Sequence, residues 1–482
     1  MDLLKSCVSH VVVLMLENRS FDTMLGGLFP GDASFKGLTG QESNPWSTHP
    51  AASPIRVWNA WPFAGPAPAP LTVPTPDPGE LWTDINQQIF GDSAARGAAT
   101  MQGFVDNYVL QKDEPDARAI MHYYTPSELP VLSSLARQYA VCDEWHASAP
   151  CQTWPNRFFV HTGTAGGWEN NAPVHLPHLP TIFDRFADPA CPYRWKIYFH
   201  DIPQSLTLRH LWSARDRFSR FDEDFARDAA AGLLPAYSFI EPRYFTEFEL
   251  PNDQHPPHNV RVGEQLIARV YNALRAAPTW PQTLLVIIYD EHGGCFDHVV
   301  PPPAIPPEAP GATQTFAFDR YGVRVPAVIV SPHIRPGTRL RATPGSQPFD
   351  HTSVIATLRA RFDLGAPLTQ RDAGAPTLAA LLAADGPQNN QLDSIPVPQY
   401  VATPDEIEAA LARPLTDMQH ALTQLAELLD DENNVVLRAY DRVKHALQAF
   451  AERFLGRLRP RVRQSAPQVR SRTSAFLARP KK

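Results

Sequence analysis

The chain has 482 residues, 43% hydrophobic and 19% charged, with a formal net charge of −7. That length supports one large core with an appendage, and the mild acidity carries no global signal for nucleic acid, so no nucleic-acid partner is expected. The five cysteines, Cys7, Cys142, Cys151, Cys191 and Cys295, are scattered without Cys-x-x-Cys spacing, which indicates neither a zinc site nor a disulfide framework.

No apolar run is long enough to span a bilayer. The chain enters its first apolar run with no basic start and cleavage site, which points to cytoplasmic residence, with leaderless export as the alternative. Val11 to Leu16 is continuously apolar and predicts a strand buried on both faces. It stops in Glu17-Asn18-Arg19-Ser20, ahead of a helix opening near Phe21. Residues 37–79 are rich in Pro, Ser, Thr and Trp and read as a long insertion loop. Asp77-Pro78-Gly79-Glu80 then leads into a helix through Ile89. Leu129, Leu132, Leu135 and Ala136 recur at helical spacing, most simply as core, and Tyr139 to Asp143 reads as extended. In the stretch Ser148 to Phe158, Thr153 stands two positions before Pro155 and fits a helix N-cap. Such a helix start aims backbone N–H groups at an anion.

Tyr193 to Asp201 predicts a strand ending in His200. Leu234 to Ile240 predicts another, followed by the proline-fixed loop Asn252-Asp253-Gln254-His255-Pro256-Pro257-His258. Arg261 to Ala276 is an amphipathic helix that returns to Leu284–Ile288, a second continuous apolar run. That run ends in Tyr289-Asp290-Glu291-His292 and turns at Gly293-Gly294, completing a strand–helix–strand rhythm. Val325 to Ser331 is a further strand, and Phe349-Asp350-His351-Thr352-Ser353 opens a helix through Arg361. The expected organisation is one α/β domain over 1–380, a linker over 381–403, a helical segment over 404–455 and a basic tail over 456–482. The tail reads as a disordered end or as an interfacial segment for anionic membrane.

Two buried strands that each end in an oxygen-bearing pair point to one shared site at the carboxyl edge of the sheet. Adjacent carboxylates there are costly without a cation to neutralise them. Glu17, Asn18, Asp290 and Glu291 offer only oxygen, the donor preferred by Ca²⁺, Mg²⁺ or Mn²⁺. One divalent cation is therefore expected.

Glu17-Asn18-Arg19-Ser20-Phe21-Asp22 together with Asp290-Glu291-His292-Gly293-Gly294 resembles the phosphoesterase family of bacterial phospholipases C, acid phosphatases and plant non-specific phospholipases C. That family belongs to the alkaline-phosphatase-like superfamily. The resemblance spans roughly residues 8 to 375. It implies a three-layer α/β sandwich with a mostly parallel sheet, here with a C-terminal helical appendage, and metal-dependent phosphoester hydrolysis. Thr153, just before Pro155-Asn156-Arg157, resembles the family's nucleophile position; Ser148 and Cys151 are its local competitors. The resemblance places His255 at the phosphate; His200, at a strand end on the ligand side of the sheet, and Arg157 are the further catalytic candidates. Asn156, His258, His292 and His351 follow as substrate-binding residues, with His298 behind the metal ligands. In plant relatives a histidine commonly follows Asp-Pro-Gly; Glu80 holds that place here.

The implied chemistry is attack by the Thr153 hydroxyl on phosphorus, stabilisation of the phosphoryl oxygens by the metal and Arg157, and protonation of the leaving alcohol by His255 or His200. A phospholipase C acting on glycerophospholipids is the leading expectation. An acid phosphatase acting on monoesters is the alternative, and a degenerate lipid- or protein-binding relative is the non-enzymatic one.

Overall fold

The structure is a computed structural model that describes residues 2–49, 51–59, 70–110, 116–171, 178–246, 249–307, 316–383 and 389–428. The expected helix beyond residue 428 and the basic tail 456–482 lie outside the described residues.

Eight strands form one sheet: β1 (His10–Leu16), β2 (Ala140–Cys142), β3 (Trp195–Phe199), β4 (Phe218–Arg220), β5 (Tyr237–Glu241), β6 (Thr283–Tyr289), β7 (Ala327–Val330) and β8 (Thr338–Leu340). Their spatial order is β8-β2-β7-β6-β1-β5-β3-β4. Every pairing is parallel except those of β7, which runs against both β2 and β6. The mostly parallel α/β sheet expected from the apolar runs is therefore present. In β6 every residue is buried, and in β1 every residue after His10. Successive strand residues point to opposite faces, so both faces are covered.

Register turns these two strands into a site. β1 pairs with β6 along its whole length, from His10 opposite Thr283 to Leu16 opposite Tyr289. The next residues out, Glu17 and Asp290, are thereby neighbours at the carboxyl edge. Two helix groups flank the sheet. One pairs Thr153–Thr162 with Thr352–Phe362, and the other packs Val260–Ala276 against Pro130–Gln138 and Ala226–Ala230.

Beyond the sheet, the chain runs back along the Val260–Ala276 helix. Gln265 donates to the carbonyls of Pro398 and Tyr400, Asn272 to that of Ile395, and Arg275 to that of Leu392. Two helices follow, Pro404–Leu411 and Asp417–Leu428. Met418, Ala421, Leu422 and Leu425 are buried in the main core, so the second helix is docked by its apolar face. Among the described residues, no helix is long and apolar enough to cross a membrane.

Candidate active site

Asn18 organises the strand ends. It sits at φ +53, a left-handed conformation that asparagine tolerates better than most residues. The turn brings its backbone N–H to Asp290 Oδ1 at 2.9 Å. Its side-chain NH₂ donates to Glu80 Oε1 at 2.6 Å and to Glu291 Oε1 at 2.8 Å. Its side-chain oxygen faces Thr153, whose hydroxyl donates to it at 3.2 Å. Gly293, at φ +61, passes so close beneath Asn18 that a Cβ would lie 2.1 Å from the Asn18 carbonyl oxygen. Only glycine fits that turn.

Thr153 is the first residue of the Thr153–Thr162 helix, and Arg157 lies one turn on, on the same face. Arg157 is fully buried. Its Nε donates to Asp290 Oδ2 at 3.2 Å, and its Nη2 reaches the carbonyls of Met15 and Leu16 and lies 3.0 Å from Glu17 Oε1. The guanidinium thus ties Glu17 to Asp290, whereas the expectation had it facing the phosphoryl group. The four oxygen residues accordingly divide: Glu17 and Asp290 share Arg157, while Glu291 joins Asn18 and Glu80. Glu17, Asp290 and Glu291 are not among the sets of acidic and histidine side chains whose ligand atoms all lie within 4.8 Å of one another.

The expected cradle of free N–H groups at the helix start is largely used. Trp154 N–H donates to Asn171 and Pro155 has none to give. Asn156, expected at the substrate, spends its polar atoms on its own loop, accepting from Ala149 N and donating to the carbonyls of Ala149, Cys151 and Gln152. It shapes the approach to Thr153. Of the competing nucleophiles, the Ser148 hydroxyl is bound to Asp350, and burial pushes the Cys151 thiol far above its usual range.

The histidines have separate surroundings. His200 places Nδ1 on the Glu241 carbonyl and Nε2 by Asn252, and stacks on Phe221. Both nitrogens are occupied, so the structure gives this residue no proton to pass to a leaving group. His351 holds the Asp290 carbonyl at 2.5 Å and receives the Trp145 indole N–H. His292 lies between Gln88 and Glu291. Both were expected at the substrate; both instead position the Asp290–Glu291 pair. His298 bonds Asp22, within a separate network closed by Arg324 and Asp297. His255 is buried, and desolvation holds it neutral, with its pKa lowered to about 3. His258 bonds Asp253 Oδ1 through Nδ1 at 2.7 Å.

Burial dominates the carboxylates. It raises Asp290 to about 7 against the pull of Arg157, and Glu291 to about 8. Glu17 and Glu80 are raised well above the usual range, Glu80 also by the charges of Glu291 and Asp77. Both Glu17 oxygens are buried without a hydrogen-bond donor aligned to them. A buried Glu17 carboxylate with one oxygen unpartnered, an amide oxygen turned to a hydroxyl and an all-oxygen donor set fit a hard divalent cation. Acidic and histidine groups able to hold a metal are also present, Asp22 with Asp297 and His298, and Asp77 with Glu80 and His255.

The chain matches the Phosphoesterase family over residues 8–365. It belongs to that family. This phosphoesterase is 35% identical to non-specific phospholipase C3 of Arabidopsis thaliana, over 89% of this chain and 83% of that protein. It is 35% identical to non-specific phospholipase C6 of Arabidopsis thaliana, over 98% and 88%. Phospholipase C A of Mycobacterium tuberculosis (strain CDC 1551 / Oshkosh) is 29% identical, over 75% and 74%. Among solved structures, a protein in the alkaline phosphatase superfamily from Vibrio parahaemolyticus overlaps 51% of this chain and 64% of its own, with TM-score 0.31 and 12% identity. The phosphoesterase is an enzyme that hydrolyses phosphoric esters.

Sequence reasoning missed a cavity of this phosphoesterase. Next to Asp77, which lies 3.7 Å from His255, is a cavity of about 300 Å³, lined by Pro76, Asp77, Phe245, Pro257 and His258 on one side and Leu411, Pro414 and Leu415 on the other. The second side comes from the two C-terminal helices and their connection. Arg413 donates to the Pro257 carbonyl and Gln419 to that of Tyr244. The helical spacing of Leu411, Met418 and Leu422 was readable, but not the surface they meet.

Proposed function

We propose that the phosphoesterase is a phospholipase C that cleaves glycerophospholipids to diacylglycerol and a phosphorylated headgroup. The observation that carries this reading is the apolar cavity beside Asp77 and His258. A small phosphomonoester has no use for Phe245, Pro257, Leu411, Pro414 and Leu415, whereas the glycerol and first acyl carbons of a lipid do. The Arabidopsis and mycobacterial relatives, themselves named phospholipases C, support the same substrate class.

Thr153 is the nucleophile in this reading. Its oxygen forms a bond to phosphorus as the bond from phosphorus to the glycerol oxygen breaks, leaving the headgroup phosphoryl on Thr153. Water then releases the phosphorylated headgroup and restores the hydroxyl. Glu17, Asn18, Asp290 and Glu291 would hold the divalent cation, Ca²⁺, Mg²⁺ or Mn²⁺. Such an ion lowers the pKa of a neighbouring hydroxyl and neutralises phosphoryl charge. Arg157 fixes Glu17 and Asp290, and His351 fixes the Asp290 backbone. His255, held neutral, is poorly suited to donate a proton. His258 suits that role better, because Asp253 orients its ring at the cavity wall.

The test compares phosphatidylcholine vesicles with p-nitrophenyl phosphate. Diacylglycerol and phosphocholine are the expected products, and Leu411→Asp should depress lipid hydrolysis more than hydrolysis of the soluble ester. Efficient monoester hydrolysis with no diacylglycerol would instead assign an acid phosphatase.

A further inference from the structure

Glu80 has a second set of neighbours. Asp77, Glu80 and His255 each turn a ligand atom into one space, all three atoms within 4.8 Å of one another. They arrive from two remote stretches, the exit of the Pro-rich loop and the loop after β5.

His255 is 2% exposed. Its Nδ1 donates to the Pro256 carbonyl at 2.5 Å, which leaves Nε2 as a bare lone pair. That lone pair faces Glu80 Oε1 at 3.4 Å, and no donor is bonded to it among the described residues. Glu80 Oε1 already accepts from Asn18. Asp77 Oδ1 is buried, 3.7 Å from the imidazole Nδ1, and has no hydrogen-bond partner. Of these three acceptors only Glu80 receives a donor, the Asn18 amide, so the cluster favours the entry of a proton or a cation. Arg19 acts on Asp77 and His255 through its charge alone, without an ion pair to either. Among the described residues no arginine or lysine ion-pairs with Asp77, Glu80 or Glu291, and Arg157 is committed to Glu17 and Asp290.

We propose that Asp77, Glu80 and His255 form a second divalent-cation site beside the four-oxygen centre. The inference rests on the proposed four-oxygen centre only for its setting, since Glu80 and Glu291 share the NH₂ of Asn18. The donor set differs from that of the first centre. Two carboxylates and one imidazole suit a borderline transition cation, Zn²⁺, whereas four oxygens suit a hard one. Three protein ligands leave a coordination position open, and Asp77 also lines the cavity proposed to take the lipid. Glu80 is the residue that makes the site.

The test is metal content. Full-length protein stripped of metal is dialysed against Zn²⁺ in the presence of excess Mg²⁺, and both metals are quantified by elemental analysis. Wild type is expected to hold one Zn²⁺ beside its Mg²⁺. Glu80→Gln should weaken Zn²⁺ binding by more than ~100-fold, beyond what loss of an outer partner costs. Asp77→Asn, at the cavity rim, should do the same and guards against a folding defect at Glu80. Asp290→Asn should lower Mg²⁺ content and keep the Zn²⁺. The inference is overturned if wild type binds no Zn²⁺ under these conditions, or if Glu80→Gln and Asp77→Asn bind it as wild type does. Unchanged Mg²⁺ in Asp290→Asn would count against the four-oxygen centre instead, leaving the comparison at Glu80 and Asp77 decisive for the second site.

Discussion

Gly293→Ala tests whether the Asn18 turn is what assembles the centre. At φ +61, the added Cβ would lie 2.1 Å from the Asn18 carbonyl oxygen, 2.6 Å from its carbonyl carbon and 2.8 Å from its Cβ. Gly365 is the matched control: it has φ +82 and nothing within 4 Å of the Cβ it would gain. The left-handed backbone costs a non-glycine residue ~1–2 kcal/mol at either place. At Gly293 the overlap forces backbone movement and adds ~1–3 kcal/mol. The expected losses are therefore ~1–2 kcal/mol for Gly365→Ala and ~2–5 kcal/mol for Gly293→Ala. The atoms that must move belong to Asn18, which holds Glu80, Glu291 and Thr153 together. Gly293→Ala should therefore also depress kcat on a soluble ester under conditions where the variant is fully folded, and Gly365→Ala should not. Urea midpoints and initial rates measure both effects. Equal stability losses with full turnover in Gly293→Ala would refute this account of the turn.

Thr153→Ser should keep part of the activity and Thr153→Val should lose nearly all of it with little change in melting temperature, since the shape is nearly retained; an active Thr153→Val contradicts the nucleophile assignment. Glu264 is buried against the N–H groups of Val131 and Leu132, and desolvation raises its carboxyl from 4.5 to about 8. The folded state thus holds a proton that the unfolded chain releases, so the stability this group contributes is full below pH 4.5 and is lost as pH rises through about 8. Glu264→Gln should flatten the fall in urea midpoint between about pH 5 and about pH 8.5, and an unchanged slope would refute the assignment. The run after Glu452 has many Arg and Lys and no Asp or Glu. Deleting it should spare soluble-ester hydrolysis and weaken sedimentation with anionic vesicles, by about 1 kcal/mol per basic residue near the surface and less as salt rises. Equal vesicle binding at low salt would refute that role.

The long apolar runs were legible because a strand buried on both faces needs no alternation to announce itself. β1 and β6 appear where Val11–Leu16 and Leu284–Ile288 placed them. Phe218–Arg220 and Thr338–Leu340 were not legible: three residues with polar neighbours carry no periodicity, and only the sheet edge makes them strands. The reversed direction of β7 is likewise a matter of pairing. At the candidate site, residue chemistry singled out stretches that the fold brings together but could not assign partners. Asn156, His292 and His351 have side chains suited to substrate, yet each is turned onto protein atoms that shape the centre. Arg157 was drawn to phosphate by its charge, but two buried carboxylates claim it first. Asp77 gave no local signal, because its partner His255 lies far along the chain.

The most direct test of the central claim is to quench the enzyme during turnover of phosphatidylcholine and map the modified residue by mass spectrometry. A phosphocholine adduct on Thr153, with diacylglycerol released in the same burst, is the predicted result. The adduct on Ser148, or diacylglycerol release undiminished in Thr153→Val, would contradict it.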